Sequence, residues 1–412
     1  MVRGATGSGM QVDLAIVGGG FIGQALALAA ASVGLRSALI ERRPRTALAD
    51  AGDDGRVSSL ALGSQRMLAV LGVWPTLAAE AEPIRDIRVA DGRSPLFLHF
   101  DHREIGDEPF GYMVENRFLR QALLAAVERG GAIRLLAGRR LRAIQREEFA
   151  ARVELDDGTA VEAPLLVAAD GRGSALRAQA GINALSWRYR QTAIVVTLAH
   201  ERTHDGVAKE QFFPTGPFAL LPMRRSRSSL VWSLRHDLAR ALLAADEATF
   251  LAAVERQADG QLGLLSLAGP RYNYPLALEQ AERVVDRRLV LVGDAAQAMH
   301  PIAGQGLNLG LRDVACLAEV LARQARLGLD LGEALALASY QRWRRPDALA
   351  MLLMTDGLTR LFSNNLPPLR VARRLGLGLV NRLPAVKRVF ERHAAAAAGD
   401  LPRLIRGLPV PP

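Results

Sequence analysis

A turn of clustered glycines between two short apolar runs constrains the fold more than any other feature of the chain. The run VDLAIV (12–17) leads into GGGFIG, where Gly18, Gly20 and Gly23 have GxGxxG spacing, and a second run, SALIE, ends at Glu41. The intervening QALALAAASVGLR is typical of a close-packed helix. Glycines let the backbone approach a pyrophosphate at a helix N-terminus, and a carboxylate that closes the second strand accepts hydrogen bonds from ribose hydroxyls. The sequence therefore predicts an α/β fold with a Rossmann-like dinucleotide-binding domain.

Two later motifs indicate which dinucleotide is bound. Residues 165–177, LLVAADGRGSALR, are typical of an apolar strand that ends at Asp170, and residues 289–294, LVLVGD, of another that ends at Asp294. Ligands of open α/β sheets bind beyond the carboxyl ends of the strands. An NAD-dependent dehydrogenase needs only the first glycine unit, whereas FAD also needs an acid for its ribityl chain and a helix N-terminus aimed at the flavin ring. The later motifs therefore predict FAD as the bound cofactor.

The stretch GDAAQAMHPIAGQGLNLGLRD (293–313) contains both of these elements. Asp294 ends a strand, Pro301 turns the chain, and Gly304 and Gly306 let the backbone lie close to a flat ring. Apolar residues then recur at helical spacing, as the buried stripe of a helix does: Leu307, Leu311, Val314, Ala318 and Leu321. The N-terminus of this helix would stabilise the negative charge that reduced flavin carries near N1 and O2.

Cysteine content and hydropathy exclude several classes of protein. Cys316 is the only cysteine, which excludes a disulfide within the chain and a Cys-pair redox centre and is typical of a reducing cytosol. Every apolar run falls short of the roughly 18 residues that a membrane span needs, and the N-terminus lacks the apolar core of a signal peptide. We expect a cytoplasmic protein with a disordered extension at residues 1–9. The seven histidines show no metal-ligand spacing, so no metal site is expected.

Positive charge is concentrated in the C-terminal segment. Of the net charge of +10, residues 358–412 supply +8, with ten Lys/Arg against Glu391 and Asp400. Because leucine, valine and phenylalanine are interleaved with these charges, the segment predicts a basic amphipathic helical tail, suited to an anionic membrane surface or an acidic partner. A solvated helix face is the alternative. No nucleic acid is expected as a partner, because no recognition motif accompanies the charge.

Strand-like runs elsewhere predict a second, inserted domain. Residues 83–109 alternate on both sides of an Asp91-Gly92 turn, which predicts a hairpin, and 186–275 contain further runs such as TAIVVTLAH and SSLVWSLR. We expect an antiparallel-sheet substrate domain of 83–109 and 186–275, inserted into an FAD-binding domain of 10–82, 110–185 and 276–357. The candidates for an apolar pocket at the domain interface, about half of them expected to be plain core, are Phe212, Phe213, Phe218, Leu220, Pro222 and Trp232.

The motifs, in this order, resemble those of the class A FAD-dependent aromatic hydroxylases, which have a p-hydroxybenzoate hydroxylase-like fold. The segment HPIAGQGLNLGLRDV is similar to the corresponding sequence of the ubiquinone-biosynthesis hydroxylases of the UbiH/UbiF type. Further similar segments are DGRVSSLALGSQRMLAVLGVW (54–74), MVENRFLRQAL (113–123), GPFALLP (216–222) and, in the tail, KRVFERH and LPRLIRG. The resemblance therefore covers nearly the whole chain, departing from it only at the N-terminal extension and a run of alanines at 394–398.

The resemblance implies a set of cofactor-binding residues. Glu41 would hold the adenosine ribose, Asp294 the ribityl chain, and the backbone around Gly304 the isoalloxazine. Asp170 lies in a segment that the wider class uses near both FAD and NAD(P)H. The full set is Gly18, Gly20, Gly23, Glu41, Arg42, Arg56, Asn116, Asp170, Asp294, Pro301, Gly304, Gly306, Leu307 and Asn308.

Some of these residues have plainer alternatives. Arg56 could form a surface salt bridge, Asn116 could cap the helix that follows it, and Asp170 with Gly171 could form a simple turn. His300 could be a general base, but a histidine beside a proline in a packed turn is more often structural. No catalytic side chain is assigned.

The resemblance also implies a reaction. The expected enzyme is an FAD-dependent monooxygenase that hydroxylates the ring of a polyprenyl phenol in ubiquinone biosynthesis, using NAD(P)H and O2 through a C4a-hydroperoxyflavin. The basic tail would bring it to the inner face of the cytoplasmic membrane or into a ubiquinone-biosynthesis complex. The alternatives are an FAD-dependent polyprenyl reductase, a hydroxylase of a water-soluble phenol, and a flavin-bearing subunit of a biosynthetic complex.

Overall fold

The structure is a computed structural model that describes residues 9–49, 52, 55–94, 97–104, 106–298, 304–362 and 400–411. In chain order the strands of these residues are β1 (Met10–Gln11), β2 (Leu14–Val17), β3 (Ser37–Glu41), β4 (Val57–Ala61), β5 (Glu82–Ile84), β6 (Asp86–Asp91), β7 (Phe97–Asp101), β8 (Gly111–Glu115), β9 (Ile133–Ala137), β10 (Leu141–Arg146), β11 (Ala151–Leu155), β12 (Ala160–Ala163), β13 (Leu165–Ala168), β14 (Ala184–His200), β15 (Val207–Phe213), β16 (Gly216–Met223), β17 (Arg227–Arg235), β18 (Leu265–Leu267), β19 (Tyr272–Ala281), β20 (Val285–Asp286), β21 (Leu289–Leu291) and β22 (Gln297–Ala298).

The helices of the same residues are α1 (Phe21–Ser32), α2 (Arg45–Ala49), α3 (Leu62–Val70), α4 (Trp74–Leu77), α5 (Asn116–Arg129), α6 (Ala175–Gln179), α7 (His236–Ala244), α8 (Glu247–Ala258), α9 (Gln305–Arg326) and α10 (Ala334–Phe362). Short 3-10 turns lie at Ala78–Glu80, His102–Glu104 and Gly293–Ala295.

A six-stranded sheet in the order β20-β21-β13-β2-β3-β9 forms the centre of the first half of the fold. Its strands are parallel except for β20. Every residue of β2, β3 and β13 is buried, as expected for a parallel sheet covered on both faces. Helices α1, α5 and α9 pack on one face and the four-stranded sheet β1-β12-β11-β10 on the other. The carboxyl ends of β2, β3, β13 and β21 therefore meet at one edge.

A nine-stranded sheet forms the second half of the fold, and its main path runs β22-β19-β14-β17-β16-β15-β6-β7. The hairpin expected around Asp91-Gly92 is present as β6 and β7. The expectation of a purely antiparallel sheet needs a correction, because β6 pairs with β15 in parallel. A long stretch of chain separates these two strands, and only a short turn would force them to be antiparallel. Strand β14 begins at Ala184 and β19 continues to Ala281, so this sheet extends past the expected limits of 186 and 275.

Three of the six candidates for an apolar pocket are plain core, as was expected for about half of them. Phe218, Leu220 and Trp232 lie in the core between the sheet and the helices α7 and α8, where Phe218 meets Trp232 edge-on at 5.3 Å between ring centroids. Phe213 packs against the same core. These alternate positions of β15, β16 and β17 point to the helices, and the other face of the sheet packs in part against β5 and β8.

The C-terminal residues differ from the expected amphipathic tail at 358–412. Helix α10 runs on to Phe362, residues 363–399 lie outside the described residues, and residues 400–411 form turns rather than a helix. Leu404 and Ile405 are buried in the core beside α9, and the Arg403 amide donates a hydrogen bond to Glu319 of that helix at 2.9 Å. The apolar residues of this last piece therefore serve packing within the chain. No helix of the described residues is long and apolar enough to cross a membrane.

Candidate functional site

The glycine turn after β2 is shaped by its contact with the end of β13. Gly18 has a φ of +111°, and a Cβ there would lie 2.2 Å from the carbonyl oxygen of Ala169. A Cβ at Gly23 would lie 1.8 Å from the oxygen of Gly18. Gly20 differs, because a Cβ there would meet nothing within 4 Å, and this residue precedes α1 without a side-chain cap. The amides at the start of α1 therefore face an open cradle.

Glu41, at the end of β3, lies directly beside this turn. Its side chain is buried and accepts hydrogen bonds from the Gly19 amide at 2.7 Å and from the Arg43 amide at 2.9 Å. The Arg43 guanidinium also pairs with it at 3.1 Å, whereas Arg42 is exposed. The sequence pattern predicted Arg42 and missed Arg43. The turn after β3 determines which of these two adjacent arginines points towards Glu41, and the pattern does not show this turn.

Asp294 and Asp170 follow the neighbouring strands β21 and β13. The Asp294 side chain reaches solvent, yet desolvation by the surrounding protein raises its pKa in spite of the nearby Arg172 and Arg56 guanidinium groups. Asp170 Oδ2 accepts a hydrogen bond from the Leu176 amide at 3.3 Å, at the start of α6. Its Oδ1 is buried with no hydrogen-bond partner among the described residues. Both carboxyl groups thus lie at the sheet edge that the glycine turn occupies.

Arg56 and Asn116 lie at the junction of the two halves of the fold. The Arg56 guanidinium lies over the Tyr274 ring of β19, at 4.1 Å from the centroid. Asn116 Oδ1 accepts a hydrogen bond from the Ser58 hydroxyl of β4 at 2.6 Å, and the N-terminus of α5 has no side-chain cap. Asn116 therefore does not cap the helix that follows it, which was the alternative considered from the sequence.

The start of α9 is fixed to β4 by its own side chains. Asn308 is buried, donates to the Ser59 carbonyl at 2.8 Å and accepts from the Ala61 amide at 2.9 Å, as a neighbouring strand would. Gly304 caps the helix with a φ of +61°, and a Cβ there would lie 3.0 Å from Ser59 Cβ. A Cβ at Gly306 would meet nothing within 4 Å. Leu307 is half-buried against the core. The first turn of α9 therefore presents backbone on its free side.

A contact between α1 and α9 brings the two glycine-rich turns together. A Cβ at Gly310 would lie 2.6 Å from Ile22 Cδ1 and 3.1 Å from the Cα of Gly293. Because Ile22 is in the first turn of α1 and Gly310 in the second turn of α9, the N-termini of both helices lie on the same side of the fold.

A buried network of charges behind the site was missed by the sequence pattern. Asp313 accepts hydrogen bonds from the Gly293 amide at 3.0 Å and from Arg344 Nε at 2.7 Å. Asp347 pairs with Arg344 and with Arg312, at 2.6 and 2.9 Å. Although burial opposes ionisation, these two guanidinium groups lower the pKa of Asp347. The network holds the turn that carries Asp294, and only the presence of Asp313 in the glycine-rich stretch hinted at it.

The residues present fit FAD. The N-termini of α1 and α9 have no side-chain cap, and their backbone amides would be available to a pyrophosphate and to the flavin ring. Gly20 and Gly306 leave open space at these positions, and the carboxyl groups of Glu41 and Asp294 lie where a ribose and a ribityl chain would follow. His300 and Pro301 lie outside the described residues.

Comparisons with known proteins agree with this site. A family model described as FAD binding domain matches residues 11–354. Ubiquinone hydroxylase UbiL of Rhodospirillum rubrum is 51% identical over 98% of this chain and 95% of its own length. The 3-demethoxyubiquinol 3-hydroxylase of Escherichia coli is 36% identical over 93% of this chain and 98% of its own length.

A solved structure agrees with the fold. The p-nitrophenol 4-monooxygenase PnpA of Pseudomonas putida superposes with a TM-score of 0.77 at 16% identity, covering 95% of this chain and 100% of its own. The expected fold class, with its FAD-binding domain, is thereby confirmed, and the relatives confirm the resemblance to ubiquinone-biosynthesis hydroxylases. The chain belongs to the FAD binding domain family and, within it, to the ubiquinone hydroxylases.

Proposed function

We propose that this protein is an FAD-dependent monooxygenase that hydroxylates the aromatic ring of a polyprenyl phenol in ubiquinone biosynthesis, with NAD(P)H and O2 as co-substrates. The observation that carries the proposal is the pair of helix N-termini without a side-chain cap, at α1 and α9, beside Glu41 and Asp294. The names of the two relatives, a ubiquinone hydroxylase and a demethoxyubiquinol hydroxylase, support the substrate class.

The residues of the chain bind and orient rather than react. Bound FAD would supply the redox chemistry, taking electrons from NAD(P)H and activating O2. The amides of α1 would hold the pyrophosphate, Glu41 the adenosine ribose, and Asp294 the ribityl chain. The N-terminus of α9 would stabilise negative charge on the flavin ring. Asn308 would act through its hold on β4, which fixes the position of that helix.

The two halves of the fold would divide the work. The segments 10–82, 110–185 and 276–357 would bind FAD, and 83–109 with 186–275 would form the substrate domain. The face of the nine-stranded sheet that α7 and α8 leave uncovered would exclude water from the reacting ring and fix its orientation.

Two measurements test this function. The purified protein should bind FAD, and its oxidation of NADPH should accelerate when 2-geranylphenol is added, with a hydroxylated product found by mass spectrometry. A protein that takes up no FAD would overturn the assignment of the site. FAD binding without phenol-stimulated NADPH oxidation would instead favour a polyprenyl reductase or a flavin-bearing subunit of a complex, and turnover of unprenylated phenols alone would favour a hydroxylase of water-soluble substrates.

The basic C-terminal segment would bring the enzyme to its lipid-like substrate. Residues 363–399 contain seven Lys/Arg and one acidic residue, Glu391. Such a segment is attracted to anionic lipids at the inner face of the cytoplasmic membrane. Co-sedimentation with phosphatidylglycerol vesicles, lost with phosphatidylcholine vesicles or at high salt, is the expected result. Equal sedimentation with both lipids would contradict a charge-driven contact and leave assembly with other biosynthetic proteins as its role.

A further inference from the structure

One face of the nine-stranded sheet looks toward the FAD-binding half of the molecule. A Cβ at Gly55 would lie 2.2 Å from the Tyr272 ring, so Tyr272 contacts the loop that precedes β4. Ala208 and Leu221, on the same face, pack with Met113 of β8. The opposite face is covered by α7 and α8. The first face is therefore bracketed on two sides by the elements that build the flavin site.

A single row of side chains crosses this face. Residues paired directly across neighbouring strands lie on the same side of a sheet. The row, in order from β6 through β15, β16, β17 and β14 to β19, consists of Val89, Glu210, Ala219, Val231, Val195 and Tyr272. Glu210 carries the only carboxyl group of this row, and Val89, Ala219, Val231 and Val195 are aliphatic.

Exposure varies along this face, where Val195 is buried and the side chains around Glu210 are not. Leu220, Leu230 and Trp232, which point to the helices, are at most 4% exposed. Glu210 and Ala219, which point the other way, are both partly exposed, as are Val89 and Val231 at the same level. Glu210 therefore lies at a partly accessible position, at the margin of the core that β5, β7 and β8 form with this face.

The Glu210 carboxyl group has no hydrogen bond or ion pair to any residue that the structure describes. Surrounding protein desolvates its carboxyl group and raises its pKa to about 7. A carboxyl group in an apolar setting costs free energy unless it is hydrogen-bonded, and its retention without an internal partner points to an external one. The partner must donate a hydrogen bond and otherwise be apolar, because Val89 and Ala219 flank Glu210 on the two neighbouring strands and Val231 follows on the next.

We propose that Glu210 binds the substrate, accepting a hydrogen bond from its phenolic hydroxyl while the aliphatic row contacts the ring and the first prenyl unit. The inference rests on the proposed hydroxylase function and names the residue that orients the ring. A fixed hydroxyl determines which ring carbon faces the flavin, so Glu210 is a regiochemistry-determining residue as well.

The test compares the binding of 2-geranylphenol with that of its methyl ether, which lacks the donor. Dissociation constants are measured in the absence of NADPH, from the change in flavin absorbance of the FAD-loaded enzyme. The variants are Glu210→Leu, which removes the acceptor, Glu210→Gln, which keeps one, and Glu154→Gln as a control at an exposed strand position. FAD content and melting temperature report whether each variant folds.

The wild-type enzyme and the Glu154→Gln control should bind the phenol about tenfold or more tightly than the methyl ether. Glu210→Leu should bind both alike, and Glu210→Gln should retain part of the preference. A preference that survives in Glu210→Leu would overturn the role of Glu210 and leave the hydroxylase function standing. If Glu210→Leu does not fold, the role of Glu210 is tested with Glu210→Gln alone. A preference for the phenol over the methyl ether that is unchanged in this variant, with full turnover and the same product, would overturn that role. A wild-type enzyme that binds FAD but neither the phenol nor the methyl ether would overturn both the role of Glu210 and the proposed hydroxylase function.

Discussion

The three glycines of the first turn share one motif but serve two different purposes. A side chain at Gly18 would collide with Ala169, and one at Gly23 would collide with Gly18, so these residues let the turn close against the end of β13 and let α1 pack against the turn. A side chain at Gly20 would collide with nothing in the protein, so its absence serves the ligand. The GxGxxG spacing predicts all three glycines but does not separate these purposes, because the contact with Ala169 joins residues far apart in the chain.

The variants Gly18→Ala and Gly20→Ala should therefore fail in different ways. Gly18→Ala should lower the melting temperature of the FAD-free protein, since both its φ of +111° and the clash with Ala169 oppose folding. Gly20→Ala should leave that temperature unchanged and weaken FAD binding, measured by quenching of flavin fluorescence. Gly269→Ala, also in open space, is the control and should change neither. Equal effects of Gly18→Ala and Gly20→Ala on folding would contradict this division.

Asp313 offers a second test at the scale of single residues. Its removal in Asp313→Ala leaves the buried Arg344 short of a partner and the Gly293 amide without an acceptor, so the free energy of unfolding should fall by about 3 to 5 kcal/mol. The exposed Glu154→Ala, whose pair with Arg152 spans 3.8 Å, should change it by less than about 0.5 kcal/mol. Urea unfolding of the FAD-free proteins measures both. Similar small changes in the two variants would show that the network is dispensable.

Among the secondary-structure elements, the positions of the strands and helices are better predicted from the sequence than the elements with which they pair or pack. The first strand, helix and second strand lie where the glycine motif placed them, and α9 begins at the residue after Gly304. The parallel pairing of β6 with β15 and the burial of Phe218 against α8 were not predictable in the same way. Alternation in a strand shows that it has two faces, but only the packing of the whole sheet decides which one is covered.

The join between α9 and β4 should be sensitive to one side chain. Asn308→Ala leaves the Ser59 carbonyl and the Ala61 amide buried without their partner, so the free energy of unfolding should fall by about 2 to 4 kcal/mol. FAD binding should weaken as well, because the helix start loses its fixed position. Asn273→Ala, at an exposed strand position, is the matched control and should be near neutral. A stable Asn308→Ala variant with normal FAD affinity would show that other contacts hold the helix.

Across the whole molecule, the far ends of the chain meet in one core. Leu404 and Ile405 belong to the core that α1 and α9 also build, although the basic composition of the segment 358–412 predicted a tail on the surface. Net charge describes the segment as a whole and hides the short apolar piece within it. The FAD-binding half was predictable because its glycines and acids form short local motifs. The packing of residues 400–411 into the core depends on contacts between distant parts of the chain, which a local sequence pattern does not show.

Loss of the packing of residues 400–411 into the core should destabilise the whole fold. Leu404→Ala removes a fully buried side chain and should lower the free energy of unfolding by about 2 to 5 kcal/mol. Leu335→Ala, at a leucine that is 73% exposed on α10, should have little effect. Urea unfolding followed by circular dichroism compares them. If the two variants are equally stable, residues 400–411 do not contribute to the core as described.

The origin of the oxygen in the product shows whether this protein is a flavin-dependent ring hydroxylase. The FAD-loaded enzyme is supplied with NADPH, 2-geranylphenol and O2 labelled with a heavy oxygen isotope, and the product is analysed by mass spectrometry. A monooxygenase places one labelled oxygen atom on the aromatic ring, which is the result we expect. Unlabelled hydroxylated product, or NADPH consumed with only hydrogen peroxide formed for every phenol tried, would contradict the assignment of this protein as a flavin-dependent ring hydroxylase.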